Sequence, residues 1–274
     1  MKPKMEPEHS KDSPALELHN LSLRFDGHSA LQDLTFTVDS GLHVAVVGPN
    51  GAGKSTLFNI LAGLLVPTKG NVFIHGHPPA QHMCLAYVPQ SSQVDWTFPV
   101  SVEEVVMMGR VGLIGLFRLP ARKDWEFVGK CLGRVQLKAF AHRQISELSG
   151  GQKQRMFIAR ALAQEADLVL LDEPLAGLDI PSQEQILNIL DDLKQHGITV
   201  LFATHDLDLA AVFDRILLLN RRLIAYGKKD EVLTANNLSQ AYGGTMQVVE
   251  TADGRIMLGD SGGHHGHEPE GRHG

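Results

Sequence analysis

Four apolar residues at positions 44–47 run without a break into Gly48-Pro49-Asn50-Gly51-Ala52-Gly53-Lys54-Ser55-Thr56, and a helical pattern starts at Lys54. The spacing is G-x-x-x-x-G-K-[ST], in the strand-to-helix setting that the motif requires. A short apolar run of this kind becomes a buried strand of a parallel sheet, so the chain is committed to an α/β layout. Glycines let several backbone N–H groups converge on one anion, and the helix N-terminus adds its positive dipole. Lys54 is placed to bridge the β- and γ-phosphates of a nucleotide such as ATP. Ser55 is placed to offer a hydroxyl to Mg²⁺.

The rest of the chain supports that layout. Alternation over residues 15–25 and 34–38 predicts two paired strands around a turn at Asp26-Gly27. A helix is expected from Lys54 to about Leu65, with Leu57, Phe58, Leu61, Leu64 and Leu65 on one face. Strands follow at 70–75 and 86–88. Residues 99–165 lose β character and read as a helical insertion. The α/β rhythm then resumes: a buried strand at 168–172, a helix with Pro181 near its start and Gly197 past its end, a strand at 199–204, a helix near 206–213 and a strand at 215–219. The expectation is a mainly parallel sheet with helices on both faces. Residues 1–14 read as a flexible lead-in and 15–242 as the folded unit. Residues 243–274 read as a Gly/His-rich tail, disordered without a ligand.

At 274 residues there is room for one large domain or two small ones. A net charge of -6 argues against nucleic acid as the main partner, because phosphate backbones are bound by dense Lys/Arg surfaces. No apolar run reaches the roughly 18–20 residues that span a bilayer, and the N-terminus has no signal-like apolar stretch. The chain is therefore expected in the cytosol, touching a membrane through a partner. Cys84 and Cys131 show neither C-x-x-C nor metal spacing and read as small buried hydrophobes in a reducing compartment.

Three further features carry chemistry. The apolar strand at 168–172 ends in Asp172-Glu173. Asp172 is placed to hold Mg²⁺, a hard cation that prefers oxygen. Glu173 is placed to polarise a water in line with a γ-phosphate. Gln90 and His205 each follow a strand; an amide there can sense a γ-phosphate and an imidazole can donate to its oxygens, although either residue alone is unremarkable. Finally, Ser149 precedes Gly150-Gly151-Gln152 as a helix cap whose hydroxyl and close-approaching backbone could also meet a phosphate. Without the flanking motifs this is an ordinary capped helix.

Taken together, residues 48–56, Gln90, residues 148–152, residues 168–173, Ala176-Gly177-Leu178-Asp179 and His205 resemble the ATP-binding subunit of ABC transporters, in the family's order and over roughly residues 15–240. The resemblance implies a RecA-like P-loop core, an antiparallel β-subdomain and an inserted helical subdomain. It also implies a head-to-tail homodimer in which ATP lies between one subunit's phosphate loop and the other's Ser149, Gly150, Gly151 and Gln152. Gln90 then joins Ser55 and Asp172 around Mg²⁺, Glu173 and His205 serve hydrolysis, and Asp179 lies where the two sites communicate. The family usually stacks adenine on a tyrosine; Phe25 stands at that position and keeps the π-face.

The segment after Gln90, with Asp95-Trp96 and Phe98-Pro99-Val100, is similar to subunits that energise bacterial manganese and zinc import. That similarity implies two integral membrane permease subunits met by exposed Trp96 and Phe98. It further implies an extracytoplasmic metal-binding protein acting indirectly, and a place at the cytoplasmic face of the plasma membrane. His264, His265, His267 and His273 in the tail fit a transition-metal setting. The alternatives are an importer of iron or metal chelates, a soluble ABC ATPase acting on nucleic acid or ribosomes, and a P-loop kinase or GTPase.

Overall fold

The computed structural model describes residues 13–25, 27–79, 84–90, 95–115, 118–243, 246–251 and 254–259. The N-terminal half contains β1 (Leu16–Phe25), β2 (His28–Val38), β3 (His43–Val47), α1 (Lys54–Leu61), β4 (Lys69–Ile74) and β5 (Leu85–Val88). The helical stretch holds α2 (Val102–Met108), α3 (Val111–Ile114), α4 (Arg122–Arg134) and α5 (Gly150–Ala163). There follow β6 (Leu168–Asp172), α6 (Ile180–Gln195), β7 (Thr199–Thr204), α7 (Leu207–Ala210), β8 (Arg215–Asn220), β9 (Arg222–Gly227), α8 (Lys229–Val232) and α9 (Ala235–Tyr242). The last two strands are β10 (Met246–Thr251) and β11 (Gly254–Gly259).

The strands form a six-stranded sheet in the order β5-β6-β7-β3-β8-β9, a three-stranded sheet β2-β1-β4 and a hairpin β10-β11. In the large sheet every pairing is parallel except β8 with β9, and β3, β6 and β7 are buried at every position. Burial on both faces is why these strands read as unbroken apolar runs. The three-stranded sheet is antiparallel throughout. This is the expected architecture, a P-loop core with an antiparallel sheet beside it.

Three apolar clusters organise the interior. One lies between the antiparallel sheet, α1 and one face of the large sheet, centred on Leu16, Leu34, Phe58 and Leu201. A second joins α2, α4 and α5 to β5, β6 and α6 through Val106, Leu132, Met156, Leu171 and Phe202. The helical stretch thus shares its apolar core with the other face of the sheet. A third packs α7, α8 and α9 under β3 and β8. At the end of α2, Arg110 ties the helices together: it meets Asp124 at 3.0 Å and Glu165 at 3.2 Å, and lies 4.5 Å over the Phe127 ring.

Several expectations are corrected. The helix expected to reach Leu65 stops at Leu61, because Gly63 adopts φ 72° and turns the chain out, leaving Leu64 exposed. The helix near 206–213 is a single turn. The tail expected to be disordered from residue 243 begins with the antiparallel hairpin β10-β11. The four tail histidines and residues 1–12 lie outside the described residues.

Candidate functional site

In a parallel sheet all carboxyl ends fall on one side, which is where α/β proteins bind ligands. Here β3 delivers the loop at 48–56, β5 delivers Gln90, β6 delivers Asp172 and Glu173, and β7 delivers His205. An open cavity of about 300 Å³ lies there, lined by the loop from Asn50 to Thr56 together with Gln90 and Glu173. Gly48 is required by close approach: a Cβ at that position would collide with the carbonyl oxygen of Leu219 on β8. On the other side, Ala52 O accepts a hydrogen bond from Arg221 N–H at 2.8 Å, so the loop is pinned to the turn between β8 and β9.

Lys54 is buried, and its Nζ donates to Gly48 O at 2.8 Å while lying 3.9 Å from Glu173 Oε1. Burial pulls its ammonium below the usual lysine value, and the charges of Glu173 and Asp172 oppose that shift. Asp172 is 2% exposed. Burial pushes its carboxyl above the ordinary carboxylate range, while hydrogen bonds from Ser55 and Tyr87 pull it back. Tyr87 reaches Asp172 Oδ2 at 3.4 Å, and burial, with the same carboxylate adding to it, raises the phenol. Sequence reasoning missed Tyr87. Its signal was strand parity, since it lies one pleat from Val88 and beside Leu170 of β6.

Glu173 sits at φ 47°, a left-handed conformation uncommon for a residue with a side chain. Its N–H bonds Ala203 O at 3.1 Å, which fixes the turn. Glu173 Oε1 thus lies between Lys54 Nζ, at 3.9 Å, and His205 Nδ1, at 3.8 Å. Ser55, Asp172 and Gln90 together form a hydroxyl, carboxylate and amide set, the hard oxygen donors that suit Mg²⁺.

The remaining expected residues lie apart. Ser149 caps α5: its Oγ accepts from Gln152 N at 3.3 Å and its own N–H donates to Gln152 Oε1 at 3.0 Å. None of residues 149–152 lines the loop cavity of the same chain. Gly151 instead abuts α6, and a Cβ there would lie 2.5 Å from Ser182 Oγ. Asp179 caps α6 by accepting from Ser182 N at 2.9 Å. Phe25 stands 47% exposed at the end of β1.

Trp96 is not the exposed residue expected. It is half-buried, edge-on to Phe157 at 5.5 Å, with Lys153 Nζ 4.5 Å above its ring, because an indole beside α5 finds apolar surface in its own chain. Phe98 does stand out, at 58% exposure.

Residues 31–176 match the ABC transporter family. The chain belongs to that family. It is 45% identical over 242 residues to the manganese transport system ATP-binding protein of Synechocystis sp., covering 84% of this chain and 93% of the relative. It is 43% identical over 242 residues to the chelated iron transport system protein of Yersinia pestis, at 86% and 81% coverage. Against the zinc transport system ATP-binding protein of Treponema pallidum it is 43% identical over 232 residues, at 84% and 87%.

Among solved structures, one described as an inward-facing metal-chelate type ABC transporter superposes with a TM-score of 0.76 at 32% identity, covering 89% of this chain and 96% of that one. A dimeric ATP-binding cassette in a post-hydrolysis state with ADP and Pi gives 0.68 at 27% identity, covering 78% and 98%. The protein is therefore an ABC-type ATPase that binds ATP and works with membrane components of a transporter. None of its described helices is long and apolar enough to cross a membrane.

Proposed function

We propose that this cassette powers the import of a metal cation, manganese or zinc first, as a homodimer at the cytoplasmic face of the membrane. The observation that carries the ATP-driven dimer is the division of the motifs. The loop, Gln90 and Glu173 converge on one cavity, and Ser149, Gly150, Gly151 and Gln152 take no part in it. Their hydroxyl and helix N-terminus are then available to the ATP held by a facing copy. Asp179 caps the helix whose Ser182 packs against Gly151, which supports a role for it in communication between such copies.

Within each site, Lys54 and the loop amides bind and orient the phosphates, and Phe25 stacks the base. Ser55, Asp172 and Gln90 would hold Mg²⁺, which would supply charge neutralisation to the phosphates. Glu173 takes a proton from the attacking water, and His205 donates to the γ-phosphate. Dimer closure then shifts the permease between its states, because ATP binds the closed dimer better than the open one. Phe98 is the exposed anchor for a permease subunit, with Trp96 stiffening the segment from beneath.

Support for the cargo comes from relatives that carry manganese, zinc and chelated iron in their names. The cation itself would be met by the permease subunits and by an extracytoplasmic binding protein. The test is co-purification from membranes with a multispanning subunit, followed by vesicle uptake of Mn²⁺, Zn²⁺ and Fe²⁺. Uptake of none of these, with ATPase activity intact, rejects the cargo. The histidines of the tail are proposed as a metal sensor: deleting residues 262–274 leaves basal ATPase unchanged and abolishes any zinc or manganese effect on transport. A transport response that survives the deletion dismisses the sensor.

A further inference from the structure

The antiparallel sheet carries a second cavity, of about 430 Å³, that the nucleotide chemistry leaves unused. It shares no lining residue with the loop cavity, and the consecutive residues Ser29 and Ala30 face one each. Its wall is basic in a chain whose net charge is -6. Arg24 comes from β1, Lys69 from β4 and Arg222 from β9. The register pairs Ser22 with Lys69 and Arg24 with Ser29, so Arg24 and Lys69 are diagonal neighbours across β1 and β4.

The only carboxylate among the described lining residues is Asp33, and it is turned to other work. Its Oδ1 accepts from Ser22 Oγ at 3.1 Å, and its N–H donates to Ser22 Oγ at 2.9 Å. Arg222 Nε donates to Gln32 Oε1 at 3.0 Å, an uncharged partner. The guanidinium of Arg24 and the ammonium of Lys69 have no hydrogen bond or ion pair among the described residues. Three cations crowded on one concave wall repel each other across the strands. The wall is rich in donors and sets three cations against one carboxylate, so its complement is a ligand that only accepts and carries more than one negative charge.

The wall is also held in place. Arg221, at φ 55°, accepts at its carbonyl from Gln32 N–H at 2.7 Å while its own N–H is fixed on Ala52 O, which positions both Arg222 and its partner Gln32. Thr68 Oγ1 accepts from Arg24 N–H at 3.1 Å and fixes the backbone that carries that guanidinium. A pre-set site of this kind loses little ordering entropy on binding.

We propose that this cavity is a binding site for a phosphate-type oxyanion of two or more charges, separate from the ATP site and independent of the transported cargo. Inorganic pyrophosphate titrated calorimetrically into the full chain, with the phosphate loop already saturated by a non-hydrolysable ATP analogue, binds one further equivalent per chain. Arg24→Gln/Lys69→Gln weakens that equivalent at least tenfold and leaves the analogue's affinity unchanged. Lys228→Gln/Lys229→Gln, which removes the same net charge elsewhere, has no effect. Sedimentation with phosphatidic acid vesicles, whose phosphomonoester headgroup can carry two charges, separates the sources: vesicle binding lost in the Arg24/Lys69 variant assigns a lipid headgroup, and vesicle binding unchanged assigns a soluble phosphate. Absence of both pyrophosphate and vesicle binding, or equal weakening by the two double variants, overturns the site.

Discussion

The loop cavity and the Ser149 turn carry motifs of the same machine, yet they are built in opposite ways. Around the loop, polar groups are left unsettled. Lys54 folds back on a carbonyl, Asp172 is buried with its carboxyl shifted upward, and Glu173 is held in a left-handed backbone. At the Ser149 turn the serine and Gln152 close a capping box on each other, and Gly151 packs against Ser182. Strain and desolvated charge cluster where chemistry is done. A relaxed, self-capped helix end suits a surface that must stay folded until a partner arrives. The contrast supports the proposed split, with reactivity in one region and docking in the other.

The sharpest way to break that division is Glu173→Gln. Turnover should fall about 10²–10⁴-fold, the usual contribution of a positioned base, while ATP binding persists and a dimer accumulates with ATP and Mg²⁺ on size-exclusion chromatography. Retained turnover would move the base elsewhere and dissolve the contrast.

Next in size is Gly151→Ala, which drives a methyl group into Ser182. Overpacking of this kind costs about 1–3 kcal/mol, read as a lower Tm and urea midpoint. Ser182→Gly in the same chain should recover part of that loss, since touching residues are not additive. A full, additive loss in the double variant would show that the glycine serves something other than close packing.

A third test uses acidity at the far end of β3, where His43 is buried and its Nε2 finds no partner among the described residues. Burial lowers its pKa, with Asp214 opposing and the Lys194 charge adding to the shift. The folded state therefore prefers the neutral ring. That contribution is fully present above the unfolded value near 6.5 and is lost as pH falls through the lower folded value. Denaturant midpoints should drop on going from pH 7.5 to 5.5, and His43→Gln should flatten the drop; an equal slope in both proteins would refute it.

The smallest effect is expected from Tyr87→Phe. A 3.4 Å hydrogen bond to Asp172 is long, so the loss should stay within about 1 kcal/mol and appear as a few-fold higher Mg²⁺ requirement in ATPase assays. An unchanged requirement would leave Asp172 positioned by its backbone alone.

Much of the fold was legible because β3, β6 and β7 are buried on both faces and so appear as unbroken apolar runs. The strand β9 was not, for a local reason. Its turn from β8 is made by Arg221 at φ 55°, and an arginine gives none of the punctuation that glycine or asparagine would. The hairpin β10-β11 was masked by the Gly- and His-rich composition that follows it.

Within the site, residues next to a motif in sequence could be named from spacing, as with Asp172 and Glu173. Those that act across strands or helices could not. Tyr87 reaches Asp172 from a neighbouring strand, and Ser182 meets Gly151 from a different helix. Trp96 was misjudged because an aromatic in a loop reads as exposed until the helix beneath it is known.

Arg221 has one further consequence. Its two backbone hydrogen bonds join the phosphate loop at Ala52 to β2 at Gln32, and β2 pairs with the strand that ends in Phe25. The span between the loop amides and that phenyl ring is thus set by main-chain geometry, largely independent of side-chain repacking. With Phe25 as the proposed platform for the base, the protein would carry a ruler, and a ligand whose base and phosphates are spaced differently from its graduation would have to bend the sheet to be held at both ends.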